Sequence, residues 1–136
     1  MSERGSSVTE LTLLAPLLIV MMLFVALAGR LMSTENALVG TTRDAARAAT
    51  LRERADDARA AAEMIVAEGT GSTCRDRQTE VEVPVTADGR VVPGSVVRVH
   101  VRCRVNLADM ALLRIPGSKV IDSRSSEVVD RFRGVQ

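Results

Sequence analysis

The 136 residues set eighteen Lys and Arg against seventeen Asp and Glu, so bulk charge points to no polyanionic partner. Trp and Tyr are absent and Phe occurs only at Phe24 and Phe132, which removes the stacking platforms most single-strand nucleic-acid binders use. The length leaves room for one modest domain plus an anchor, not for two independent cores.

The chain opens with a polar stretch, Met1 to Gly5, and Glu10 then stands at the threshold of the longest uncharged run, Leu11 to Gly29. Nineteen residues of helix span about 28 Å, which matches a hydrocarbon core of about 30 Å. A single transmembrane helix is the direct reading, placed at residues 6–32, with residues 1–5 as a leader. Pro16 removes one helical hydrogen bond in its first third, which membrane helices tolerate. Three fates compete for this segment. It is an uncleaved anchor, a secretory signal cut after Ala28 at an Ala-x-Ala site, or a helix whose leader is cut after Gly5 so that Ser6 becomes the first residue. A carboxylate at Glu10 costs less near the bilayer edge than at its centre, and in the first helical turn it suits the helix dipole.

From residue 33 to 70 the chain reads as an amphipathic helix, in one piece or in two parts: Leu38, Ala45, Ala48, Leu51, Ala55, Ala58, Ala62 and Ile65 form a narrow apolar stripe among dense charge. Gly40 with Thr41 and Thr42 marks an expected weak point, and Gly69 with Gly71 an expected stop. Residues 71–136 read as a small β-rich domain. Val81, Val83 and Val85 share a face opposite Glu80 and Glu82. Val97, Val99, Val101, Cys103 and Val105 alternate with Arg98, His100, Arg102 and Arg104. Asp88-Gly89 and Pro93-Gly94 are turn signals, and Pro84 marks the first strand as an edge. Antiparallel pairing would set the Glu row beside the Arg row on the solvent face, which explains the arginines without a nucleic acid. Residues 106–117 read as a short helix or loop, and residues 119–132 as a last strand. The expected fold class is α+β, a transmembrane helix extended by a long Ala-rich helix packed on a small antiparallel sheet.

Cys74 and Cys103 are an even pair in a segment that lies outside the membrane in this reading. They are either bridged or two free buried thiols in a reducing compartment. A bridge closing about thirty residues would stabilise by about 3–4 kcal/mol. One histidine, two distant cysteines and no phosphate loop leave no metal site, no cofactor site and no catalytic set, so no enzyme and no small-molecule substrate are expected.

The spacing of Gly5, Glu10 and the apolar run resembles the processing signature of type IV pilins. The wider stretch "RGSSVTELTLLAPLLIVMMLFVALAGRL", with Arg4-Gly5, Glu10, the Leu-rich continuation and Pro16, resembles the N-terminus of the TadE-like proteins of tight-adherence (Flp-type) pilus systems. The resemblance covers about thirty residues. It implies a minor pilin or pseudopilin working with other pilin-like subunits and the pilus assembly machinery. It also implies cutting by a prepilin peptidase between Gly5 and Ser6, and Glu10 and Pro16 serving subunit register in a membrane and filament-core helix. Together with the cysteines it implies a C-terminal domain outside the cytoplasm. An uncleaved anchored adaptor and a secreted small binding domain are the rival expectations.

Overall fold

The computed structural model describes residues 4–110 and 116–132, with side chains over 12–108 and 116–132. The chain divides into two units, residues 1–33 and 34–136, with helix α1 (Arg4–Thr50) running through both.

Within the first unit α1 is continuous and Pro16 lies inside it. The apolar side chains lie exposed all around the helix, with Leu13 and Met22 at 76% and Phe24 at 70%. The segment beginning at Thr12 reaches a mean hydropathy of 2.5, and it is the one helix among the described residues long and apolar enough to cross a membrane. A helix that is hydrophobic all round and uncovered within its own unit is suited to lipid.

In the second unit, the remainder of α1 and helix α2 (Ala55–Thr70) stand beside a three-stranded antiparallel sheet. Strands β1 (Asp76–Glu82), β2 (Val96–Asn106) and β3 (Ser118–Val128) lie in the order β1-β2-β3, so both outer strands are edges. The short helix α3 (Leu107–Met110) follows β2, and residues 111–115 of the expected helix or loop lie outside the described residues. The core is built from small side chains. Leu38, Ala45, Ala46 and Ala49 of α1 and Ala58, Ala61, Ala62 and Val66 of α2 are buried, as are Val97, Val99, Val101, Cys103 and Val105 of β2. Alanine on the helices lets backbones approach closely, and the price of that closeness is a site with no room for a methyl group. A Cβ built on Gly69 would stand 2.5 Å from Cγ2 and Oγ1 of Thr41.

Two expectations about the helices are corrected. The break does not fall at Gly40, where α1 continues; Thr42 is buried and its hydroxyl donates to the Leu38 carbonyl at 2.7 Å, so the polar side chain is satisfied within the helix. The break comes at residues 51–54, where Arg54 is extended (φ −99°, ψ 142°). There Val91 N–H donates to the Glu53 carbonyl at 2.8 Å and Ala55 N–H to the Gly89 carbonyl at 3.1 Å. Tertiary ladder bonds thus override a run of good helix formers, and Asp56 and Asp57 then suit the new N-terminus. Leu51, expected in the apolar stripe, is consequently 63% exposed. The stop is at Gly71 (φ +45°), whose N–H reaches the Ala67 carbonyl, while Gly69 lies inside α2.

The strands follow the alternation closely. β1 begins earlier than expected and ends before Pro84; Val85 instead bridges Val91 across the Asp88-Gly89 turn. In that turn Gly89 (φ +78°) donates to the Thr86 carbonyl at 3.0 Å. At Pro93-Gly94, Gly94 (φ +75°) takes the left-handed position that a turn with Pro before it requires, closed by Ser95 N–H to the Val92 carbonyl at 3.2 Å.

Candidate functional site

The residues singled out for processing and register are in the first turns of α1. Gly5, Ser6 and Glu10 are helical in backbone, and their side chains lie outside the described residues. A protease that needs an extended strand at Gly5-Ser6 would have to unwind this end. Isolated helix termini fray easily, since the first N–H groups have no intrahelical partner. Pro16 stands six residues after Glu10, within the exposed apolar segment.

Cys74 and Cys103 are joined by a disulfide with Cα atoms 5.4 Å apart and 29 residues of separation. Cys103 sits on the inner face of β2 between buried Val101 and Val105, while Cys74 follows the 3-10 turn Gly71–Thr73 that ends α2. The bridge therefore ties the end of α2 to the central strand. A second tie runs beside it, with the Arg77 guanidinium of β1 donating to the Thr70 hydroxyl at 3.0 Å. Thr70 in turn donates to the Val66 carbonyl at 2.6 Å. Sequence reasoning missed this one; the only signal was a Thr one turn after Val66.

The solvent face of the sheet carries four cross-strand rows. The registers place Glu82, Arg98 and Ser126 abreast, then Glu80, His100 and Arg124, then Gln78, Arg102 and Asp122, then Asp76, Arg104 and Val120. The Glu row does stand beside the Arg row. Arg98 reaches Glu82 at 3.3 Å, and His100 Nδ1 lies 3.8 Å from Glu80. His100 is only 19% exposed, and its Nε2 is buried without a hydrogen-bond partner. A shallow depression of about 640 Å³ opens over the first two rows, lined by donors and acceptors of both signs. Among the described residues no group of three or more His, Cys, Asp or Glu is placed to hold a metal.

At the Thr86–Arg90 turn the Thr86 hydroxyl hydrogen-bonds the Asp88 carboxylate, which together with a backbone N–H holds Asp88 below its ordinary value of 3.8. Glu53 and Arg90 pair nearby at 3.3 Å, which supports the break between the helices. Along the other margin of the sheet, Lys119 pairs with Glu35 at 2.6 Å and Arg43 with Glu127 at 3.8 Å, so β3 is tied to α1 at two points. Neither pair was visible as a pair in the sequence, because 84 residues separate the first one.

Residues 5–47 match the family model described as TadE-like protein, which carries the N-terminal resemblance to within three residues of the end of α1. No curated protein and no solved structure matches this chain.

Proposed function

We propose that this protein is a pilin-like minor component of a tight-adherence pilus or related secretion apparatus, held by one membrane helix and working as a structural subunit rather than a catalyst. A TadE-like segment and a candidate N-terminal membrane helix fit a membrane protein associated with such a pilus system. The observation that carries the finer reading is a coincidence of position. The matched stretch, residues 5–47, begins at Gly5, contains Glu10 and covers the exposed apolar length of α1. In this reading a prepilin peptidase cuts between Gly5 and Ser6. Glu10 then pairs with the new amine of a neighbouring subunit at the bilayer edge, where a carboxylate is least costly. The bridged sheet domain lies outside the cytoplasm, where a disulfide persists.

The test is the intact mass and N-terminal sequence of the protein recovered from its native membrane. A chain starting at Ser6 supports the reading. A chain starting at Gly29 makes it a secreted domain, and a chain that keeps Met1 to Gly5 makes it an uncleaved anchored adaptor. Glu10→Ala should leave membrane insertion intact and abolish pilus assembly; unchanged assembly removes Glu10 from the mechanism.

A further inference from the structure

The sheet ends in two open edges whose chemistry is complementary. Both β1 and β3 are antiparallel to β2, so they run parallel to each other. At the two ends of the β2–β3 ladder, Val129 N–H donates to the Ser95 carbonyl at 2.8 Å and Leu107 N–H to the Gly117 carbonyl at 3.0 Å. Alternation then turns the backbone groups of the odd-numbered β3 residues toward β2, and those of Val120, Asp122, Arg124 and Ser126 toward the open edge. By the same alternation Arg77, Thr79 and Val81 present theirs at the open edge of β1. β3 holds eleven residues in unbroken register with no proline, and no further strand pairs with it among the described residues.

We infer that β3 of one copy pairs in parallel with β1 of a second copy, extending the sheet head to tail with Arg124 opposite the second copy's Glu80. In this register the backbone groups of Arg124 meet those of the second copy's Thr79 and Val81, all of which can donate and accept. The solvent faces then match Val120 with Asp76, Asp122 with Gln78, Arg124 with Glu80 and Ser126 with Glu82. Sliding by two residues sets Asp122 against Glu80 in one direction and against Asp76 in the other. Sliding by one turns every side chain to the wrong face. Of these registers only the first makes a solvent-face ion pair without opposing like charges on that face. Arg124 forms no ion pair among the described residues of its own chain, while Glu80 is 85% exposed and reaches only His100. The row Glu80, His100, Arg124 thus repeats from copy to copy as acid, imidazole, base. Because the contact is heterologous, each copy keeps one free edge for a further copy, so the sheet can extend beyond a pair.

A two-fold alternative exists. Antiparallel β3–β3 pairing about Ser123 would also match charges, Asp122 with Arg124 and Lys119 with Glu127. It reverses the direction of residues 34–50 of α1 between the two copies, whereas the parallel arrangement preserves it.

The experiment uses the full chain in its membrane and a short thiol crosslinker. Ser126→Cys chains mixed with Glu82→Cys chains should give a covalent dimer that neither gives alone. Arg124→Glu and Glu80→Arg should each lower that yield about ten-fold, since a pair worth up to about 1 kcal/mol becomes a repulsion of similar size. The double variant Glu80→Arg with Arg124→Glu should restore it. In the two-fold arrangement the double swap recovers nothing, and Val120→Cys mixed with Ser126→Cys crosslinks instead. That outcome overturns the inference, as does a Ser126/Glu82 mixture that stays monomeric while the Cys74–Cys103 bridge is intact. Neither result bears on whether the mature chain starts at Ser6, so the pilus reading is tested separately.

Discussion

Reducing the Cys74–Cys103 bridge perturbs the second unit without changing a single packed atom beyond the two sulfurs. The bridge closes 29 residues of sequence. On the chain-entropy estimate, −2.1 − 1.5R ln n cal/mol/K with n of about 29, its loss costs about 3.5 kcal/mol at 25 °C. A domain of this size is stable by only about 5–15 kcal/mol, so the loss is a large fraction of the total. Cys103 is buried and Cys74 half-buried, so Cys74→Ser removes the bridge while leaving the core atoms of β2 in place. With no Trp or Tyr the usual fluorescence probes are missing, and α1 dominates the helical signal. Amide hydrogen exchange at Val97, Val99, Val101 and Val105 is the better assay, because these central-strand amides open only with the whole unit. Where closing outpaces exchange, reduction or Cys74→Ser should speed it about 300-fold. An acceleration below about ten-fold, less than 1.4 kcal/mol, would refute the reasoning and make the bridge incidental to stability.

Gly69→Ala should destabilise by about 1–3 kcal/mol although alanine is the better helix former, because its methyl meets the stiff Thr41 side chain at 2.5 Å. Adding Thr41→Ala should recover most of that loss in the same exchange assay. Lys119→Ala should change stability by less than about 1 kcal/mol despite the short 2.6 Å contact, since both partners are more than a third exposed. Asp88 should titrate below 3.8, followed by its carboxyl carbon shift, and Thr86→Ala should bring the midpoint back up. A lowered native pKa means the native state binds fewer protons. Its stabilising contribution is therefore present above the ordinary aspartate value and is lost as pH falls through the native one.

What the sequence made legible was whatever has a short period or a hard physical bound. The candidate membrane helix follows from nineteen uncharged residues and the thickness of a bilayer. β2 follows from Val-Arg alternation with nothing to contradict it, and its burial pattern matches position by position. β3 was harder to read because its inner face carries Ser123 and Ser125 beside Ile121, so alternation of size replaces alternation of polarity. The helix break at 51–54 was not legible at all. Its cause is the Thr86–Arg90 turn, more than thirty residues away, and the local sequence favours helix throughout. At the candidate site, the spacing of Gly5 and Glu10 was visible, whereas the pairing possibilities of Arg124 appear only once the strand registers set it beside His100 and Glu80.

The family match covers residues 5–47, the apolar part of α1 and most of the remainder of that helix. In the proposed reading each requirement in the first part of α1 is tied to position: a glycine before the cut, an acid at the bilayer edge, and an apolar length set by lipid rather than by the protein. Moving Glu10 by one residue rotates it about 100° around the helix and changes which neighbour it can meet. The second unit is less exacting, because a core of Ala and Val accepts many sequences that keep small size on the helices and alternation on the strands. Its specific information therefore lies at its margins, in the bridge that holds α2 to β2 and in the charges along β1 and β3. In the proposed parallel β3–β1 contact between copies, those margins meet through the charge match that Arg124 and Glu80 supply.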